Sequence, residues 1–309
     1  MTPAEAPAAG KQGEQGEQHE HGVPLALDQR AAIESALARL AHGGPAEHAL
    51  SDPSFANLYL FRRVHAYRYH AGEHPWISGA TYDGGRHALP LFDPALATEG
   101  LIEALLQNHD FLYPMAQAQV DRLDGERFAW SASRDDADYL YDAARFRDYR
   151  GTALNKKRNL VRQLLAHHEV HSSPYGEADS AAALHVLEAW MVAKGKAPGE
   201  ADEEACGEAL QDASRFGLLG FIHRVDGEPA GFVLAEAIRP GVFVMRFAKG
   251  LDRFKGIHQH MFQHFCHAVP EARWLNFEQD LGVANFRRSK LSYQPVALLP
   301  KYRVTLRTR

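Results

Sequence analysis

Residues 218–250 read LLGFIHRVDGEPAGFVLAEAIRPGVFVMRFAKG. Apolar residues run through Leu218–Val225 and stop at Asp226-Gly227. An Asp-Gly pair suits a two-residue hairpin, because both central positions of that turn take positive φ. The apolar pattern resumes over Ala230–Ile238, breaks at Pro240-Gly241 and returns over Val242–Ala248. The stretch therefore predicts three consecutive antiparallel strands. Upstream, Ser180–Ala193 has helical spacing, with Leu184, Leu187, Trp190 and Met191 on one face, and Ala201–Phe216 reads as a second helix. Downstream, the pattern predicts a helix over Gly256–His267, a strand over Trp274–Phe277, a helix over Ala284–Leu291 and a last strand over Val296–Leu306.

The first half is mixed in the same way. Helical spacing covers Leu25–Leu40. Ser51-Asp52 read as the cap of a short helix containing Phe55, Leu58 and Phe61. Strands are expected at His65–Tyr69, Pro75–Ser78, His87–Pro90, Phe111–Met115, Ala129–Ser131 and Asp138–Tyr141, with an amphipathic helix at Thr98–Gln107 between them. Ala143–His168 is a long helical candidate interrupted near Gly151, and Val170–Ser173 a short strand. The expected class is α/β (α+β). Residues 1–22 are polar and of low complexity, and read as a disordered tail. Residues 23–142 and 143–309 are expected to form two domains.

Composition narrows the function classes. The chain has 309 residues, of which 45% are hydrophobic, and a formal net charge of −5. No stretch approaches the roughly 20 apolar residues that span a bilayer, and the N-terminus lacks the apolar core of a signal peptide. The two cysteines, Cys206 and Cys266, lie far apart and form no C-x-x-C, which suits a reducing cytoplasmic location. Charge is uneven: no Asp or Glu follows Asn285, whereas Arg287, Arg288, Lys290, Lys301, Arg303, Arg307 and Arg309 do. Such a basic end suits an anionic partner, or is simply a solvated face.

Three groups of residues carry candidate chemistry. Asn276-Phe-Glu-Gln-Asp-Leu-Gly282 leads an acidic turn into a basic helix, Arg287-Arg288-Ser289-Lys290-Leu291, followed by Ser292-Tyr293-Gln294-Pro295. Lys156, Lys157, Arg158 and Asn159 supply several donors that grip phosphate, or form a solvated helix face. Arg253-Phe254-Lys255-Gly256-Ile257-His258 opens a helix, as phosphate-binding turns do, but has His258 where a second small residue is wanted. His260 and His264 are spaced for a metal, yet no third ligand is close in sequence and no metal is expected. No G-x-S-x-G elbow and no cysteine signature is present, so no covalent nucleophile is visible.

The order of elements in the second half resembles a GNAT-type N-acyltransferase domain. More specifically, several segments resemble the C-terminal catalytic domain of bacterial phosphatidylglycerol lysyltransferase. These are Phe247–Gly250, Lys255-Gly256, Asn276–Gly282, Arg287–Pro295, Lys301-Tyr302, Asp138–Asp142, Gly151–Asn159 and Phe55–Tyr59, over roughly residues 50–305. The resemblance implies two tandem GNAT-like domains, each a mixed, mostly antiparallel sheet flanked by helices. Two departures each remove a charge: Ala248 stands where the family usually has Glu, and Phe277 where it usually has Arg.

The resemblance also implies an acyltransferase that takes an aminoacyl group from aminoacyl-tRNA and needs no further cofactor. The ester is already activated, so an amine or hydroxyl attacks it directly. In that reading Asp280 or Glu278 takes the acceptor's proton, and Arg287, Lys290 or Lys249 holds the oxyanion. Lys156, Lys157, Arg158 and Asn159 grip donor phosphates, with Asn276, Lys255, Gly256 and Tyr293 completing the substrate and donor contacts. An anionic small molecule or lipid headgroup is a possible further partner. Two alternatives stand beside it: an acyl-CoA-dependent N-acyltransferase, and a non-catalytic scaffold for an anionic ligand. Asp280 has its own bland reading, as the ion-pair partner of Arg287 or the cap of the next helix.

Overall fold

The computed structural model describes residues 22–40, 45–200 and 202–307, so nearly all of the expected tail lies outside the described residues. In chain order the first half contains β1 (Val23–Pro24), α1 (Arg30–Leu40), α2 (Phe55–Leu60), β2 (Arg68–His70), β3 (Trp76–Ala80), β4 (Arg86–Pro90), α3 (Glu99–Asn108), β5 (Phe111–Met115), α4 (Gln117–Val120), β6 (Phe128–Ala132) and β7 (Asp138–Asp142). The second contains α5 (Ala144–Asp148), α6 (Asn155–His167), β8 (Val170–Pro174), α7 (Ser180–Ala193), α8 (Glu203–Gln211), β9 (Leu218–Val225), β10 (Glu228–Arg239), β11 (Val242–Gly250), α9 (Ile257–Ala268), β12 (Trp274–Asn276), α10 (Ala284–Leu291), β13 (Ala297–Leu299) and β14 (Tyr302–Leu306).

The strands form two seven-stranded sheets, ordered β1-β2-β3-β4-β5-β14-β6 and β13-β7-β12-β11-β10-β9-β8. Each is antiparallel except for one parallel pair, β4 with β5 and β11 with β12. This is the expected α/β (α+β) architecture of two GNAT-like units. The hairpin forms as its turn residues dictate: Asp226 and Gly227 both take positive φ, and Val225 pairs with Glu228. Helix α9 covers the second sheet, burying Met261 and Phe265 among residues such as Phe232 and Phe243. The first sheet has its own core around Ile102, Leu105, Leu112, Met115 and Val304.

Three sequence expectations are revised. The last strand, expected as one run over Val296–Leu306, is two strands in different sheets. Proline at 300 supplies no N–H to continue a ladder, and the chain crosses over there. Consequently β13 pairs with β7, whereas β14 inserts between β5 and β6. Conversely β7, which precedes the expected boundary at 142/143, lies inside the second sheet between β12 and β13. Each sheet thus takes one strand from the other half, so the division between sheets does not fall at one point of the chain. The helix cap is also relocated: Ser54, not Ser51 or Asp52, accepts the Asn57 N–H at the start of α2.

The exchange makes the halves interdependent. Deleting residues 300–309 removes β14 from between β5 and the edge strand β6 of the first sheet. We expect the truncated chain to lose the cooperative thermal transition of the full chain in scanning calorimetry. A truncated protein unfolding at the full-length temperature would contradict the exchange.

Candidate functional site

Strands β11 and β12 pair only over Val242–Val244 and Trp274–Asn276, although β11 runs on to Gly250. Beyond Asn276 the chain leaves β11 and follows β7 instead, with the Phe277 N–H bonded to the Tyr139 carbonyl and the Tyr139 N–H to that of Glu278. The two parallel strands therefore splay.

Arg246 bridges the opening. Its guanidinium is fully buried and donates to Glu236 at 2.8 Å, Glu278 Oε1 at 2.6 Å, Asn57 Oδ1 at 3.3 Å, the Ser51 carbonyl at 2.6 Å and Ser54 Oγ at 2.9 Å. Lys301, brought in by the crossover to β14, is equally buried. Its Nζ lies 2.5 Å from Asp52, 2.7 Å from Asp138 and 2.5 Å from Gln279 Oε1. Asp138 also accepts the Ser51 N–H at 2.7 Å and Asn276 Nδ2 at 3.0 Å. Neighbouring carboxylates keep Lys301 firmly protonated against the opposing effect of burial.

The motif turn sits on this platform. Glu278 adopts φ 57°, unusual for a residue with a side chain. Its N–H bonds to Asn276 Oδ1 at 2.7 Å, and its carbonyl accepts from Lys290 Nζ at 3.2 Å. Lys290 also donates to the Gln279 carbonyl, and its own carbonyl accepts the Tyr141 hydroxyl at 2.8 Å. Burial pulls the Lys290 ammonium down to about 8. Burial pushes the Glu278 carboxyl up, opposed by the Arg246 charge. Perturbed acid and base groups side by side are a common feature of sites that move protons.

Asp280 is different. It is fully buried and receives Arg287 Nε and Nη2, each at 2.9 Å, the Tyr139 hydroxyl at 2.5 Å, Arg134 at 3.2 Å and the Gly282 N–H at 2.9 Å. Burial alone would raise its pKa, but these hydrogen bonds and the Arg287 charge hold it well below the ordinary carboxylate range. Arg287 also pairs with Asp135 at 2.5 Å. This quartet anchors α10, which has no buried residue of its own and is fastened by Arg287 and Lys290. The geometry matches the Arg287-partner reading of Asp280: Asp280 is fully enclosed by these contacts, while Arg287 keeps about a third of its side chain open.

The remaining candidates are dispersed. Lys249 stands apart, with its Nζ 2.7 and 2.8 Å from the two oxygens of Asp202 and 4.2 Å from the centre of the Trp190 ring. In the basic cluster, Lys156 and Asn159 are exposed, as is Arg162. Lys157 turns inward, 2.7 Å from Ser292 Oγ and 3.8 Å from the centre of the Tyr293 ring, and burial lowers it to about 8. Arg158 turns back onto Asn155 and the Tyr149 carbonyl. Tyr293 is buried, accepts from Gln259 at 2.8 Å and stacks on Phe146, so it is a packing residue. Phe277 joins the same aromatic cluster, 4.6 Å from Tyr141 and 4.8 Å from Phe262 between ring centres. Asn276 is buried and orients Asp138 and Glu278.

Lys255 is exposed, but Gly256 is committed to packing. It takes φ 103°, and a Cβ there would lie 2.3 Å from the Leu160 carbonyl oxygen. Helix α6 therefore covers the first turn of α9, where a pyrophosphate would have to sit. Among the described residues no group of three or more His, Cys, Asp or Glu is placed to hold a metal ion. His260 instead contacts Ser172 Oγ at 3.1 Å, which also lies 2.7 Å from His223 Nδ1.

Sequence reasoning missed Arg246, Glu236, Asp138, Asp52 and Lys301 as parts of the site. A signal was present for the first two: VFVMRFA and GFVLAEA each carry one charge inside an apolar strand. A lone charge there needs a buried partner.

The sequence of residues 45–305 matches the family described as phosphatidylglycerol lysyltransferase, C-terminal. No curated protein matches the chain by sequence. A conserved protein of unknown function from Bacteroides thetaiotaomicron superposes with a TM-score of 0.78 at 20% identity, covering 92% of this chain and 98% of that one. L-PGS from Bacillus licheniformis gives 0.60 at 14% identity, with 94% of each chain covered. FemX gives 0.59 at 7% identity, covering 89% of this chain and 96% of its own. These likenesses show the tandem GNAT-like fold. No described helix is long and apolar enough to cross a membrane.

Two outcomes follow from the geometry. Asp280→Asn is expected to lower stability by about 3 kcal/mol in urea unfolding, the scale of a broken buried ion pair. The folded state binds the Asp280 proton less readily than the unfolded chain does. Its stabilisation is therefore present at neutral pH and lost as pH falls below about 4, and the variant should lack that part of the acid profile. An unchanged stability would contradict the anchoring role. Gly256→Ala is expected to cost about 2–4 kcal/mol, from positive φ and the clash with Leu160 together. A wild-type unfolding midpoint would contradict the close approach of α6.

Proposed function

The chain belongs to the phosphatidylglycerol lysyltransferase C-terminal family, and from that membership we propose that it is an acyltransferase moving an aminoacyl group from aminoacyl-tRNA to an amine or hydroxyl. The observation that carries the reading is the splay of β11 from β12, with Glu278 and Lys290 beside it and Arg246 across it. A splayed parallel pair leaves unpaired strand edge where a donor carbonyl can dock. The acceptor attacks that carbonyl directly. Glu278 takes the acceptor's proton, and the Lys290 ammonium stabilises the oxyanion. A new C–N or C–O bond forms, the ester C–O bond breaks, and Glu278 returns the acceptor's proton to the departing ribose oxygen.

Asp280, Arg287 and Asn276 then act as positioning residues, and Lys249 belongs to the Asp202 contact rather than to the chemistry. Exposed Lys156, Asn159 and Arg162 are the residues we assign to tRNA phosphates, and a tRNA-borne donor is the ground on which a cytoplasmic location is proposed. The acceptor is an amine or hydroxyl on a small molecule or a lipid headgroup. Acyl-CoA is the weaker donor because Gly256 packs against Leu160 and leaves no cradle at the start of α9.

The test is transfer from a radiolabelled aminoacyl-tRNA pool to candidate acceptors by the full chain. Glu278→Gln should lower the rate about 10²–10⁴-fold and Lys290→Met about 10²–10³-fold. Binding of tRNA should weaken steeply with salt, and Lys156→Ala with Arg162→Ala should reduce the slope of log K against log salt by about 1–2. Saturable acyl-CoA turnover without tRNA dependence, or tRNA binding insensitive to salt, would overturn the proposal.

A further inference from the structure

The network around Arg246 and Lys301 is not charge-balanced. Arg246 lies between Glu236 and Glu278, and Lys301 between Asp52 and Asp138. Lys290, the third cation, donates only to backbone carbonyls. Four carboxylates thus face three cations. The neighbouring quartet does not offset the difference, because Asp280 and Asp135 already face Arg287 and Arg134. An excess of one negative charge in a largely buried network favours a proton or an external cation beside it.

The excess is most open at Glu278. Asp138 is fully buried, Glu236 and Asp52 keep 13% and 17% of their side-chain surface open, and Glu278 keeps 24%. Its Oε1 is held by Arg246, and its Oε2 makes no hydrogen bond among the described residues. The backbone fixes where that oxygen points. Glu278 is held at positive φ by Asn276 on its N–H and by Tyr139 and Lys290 on its carbonyl. A left-handed conformation in a residue with a side chain costs roughly 1–2 kcal/mol and persists only where its surroundings enforce it. With no metal-ligand cluster among the described residues, a part-exposed carboxylate oxygen suits an organic ammonium, which is a compact donor.

We propose that Glu278 Oε2 seats a protonated primary amine and so selects an amine, over a hydroxyl, as the acceptor. This rests on the acyltransferase reading above. The ammonium binds first, and Glu278 removes one proton to free the lone pair. The amine nitrogen attacks the ester carbonyl, the C–N bond forms and the C–O bond breaks. The ribose oxygen takes the second proton from nitrogen, leaving an amide. The raised pKa of the Glu278 carboxyl agrees with this order: its ionised form gains from a neighbouring cation, and it takes that cation's proton before the nitrogen attacks.

The experiment is equilibrium binding of simple probes to the full chain, followed by NMR. The probes are a primary alkylamine, the alcohol of the same length, an amino-acid amide and its N-acetylated form. The alkylamine is expected to bind about ten-fold or more tightly than the alcohol. Glu278→Gln should reduce it to the alcohol's level, while Glu278→Asp retains part of the preference. Affinity should fall at low pH as Glu278 protonates and at high pH as the amine loses its charge. Equal binding of amine and alcohol would overturn the proposal, and so would amine binding unaffected by Glu278→Gln in a variant with the wild-type fold. Binding of the amino-acid amide alone would overturn the acceptor assignment and give the seat to the donor. Where Glu278→Gln does not fold, the wild-type comparison of amine with alcohol and the pH profile still decide. Transfer from aminoacyl-tRNA without a Glu278-dependent amine site would sink this inference and leave the acyltransferase reading standing. The converse result would do the reverse.

Discussion

Two buried cations hold the molecule together where its halves meet. Arg246 and Lys301 are removed from water, a situation that costs several kcal/mol per ion unless every donor is met. Here every contact is supplied, and the suppliers come from across the chain. Ser51, Asp52, Ser54 and Asn57 belong to the segment around α2, and Asp138 to the exchanged strand β7. Glu236 comes from β10, and Glu278 and Gln279 from the turn after β12. Ser51 touches both cations, through its carbonyl to Arg246 and through Oγ to Lys301 at 3.2 Å. Any relative movement of the two sheets would strand at least one of these charges in an apolar interior.

That clamp explains why the site has its shape. The reciprocal exchange brings β7 beside β12, and Tyr139 on β7 then leads Phe277 and Glu278 away from β11. The strands open, Arg246 spans the opening, and Glu278 is turned outward at positive φ. The polar quartet of Asp280, Arg287, Arg134 and Asp135 does a separate task. It fastens α10 through Arg287, beside Lys290, and so sets the height of the Lys290 amine above the Glu278 carbonyl. Phe277 fills a ring of aromatics with Tyr141, Phe146, Phe262 and Tyr293, so a charge at this position has no place in the cluster.

How much of this was legible in the sequence follows from the range of each interaction. The hairpin at Asp226-Gly227, the amphipathic helix at Ser180–Ala193 and the motif turn are local, and their positions were readable from pattern alone. The crossing of Val296–Leu306 between sheets was not, because both of its parts are short apolar strands and only Pro300 marks the break. Asp280 drew a catalytic reading from its motif, yet its partners Tyr139 and Arg134 lie more than a hundred residues away. Gly256 looked like a phosphate turn because positive φ and a helix start recur there. The Leu160 carbonyl that closes the space belongs to a different helix. Lys157 and Arg158 share a run with Lys156, and only the contacts of α6 separate the inward cations from the outward one.

The central claim is that the opening between β11 and the turn after β12 receives an aminoacyl donor beside Glu278 and Lys290. The most direct measurement is a crystal structure of the protein with a stable adenosine analogue carrying an amide-linked amino acid. The account predicts its acyl carbonyl beside Lys290 Nζ, along the unpaired edge of Met245–Gly250. Density for the analogue elsewhere, such as the acidic cleft lined by Glu188, Glu203 and Glu208 between α7 and α8, with the splay unoccupied, would contradict it.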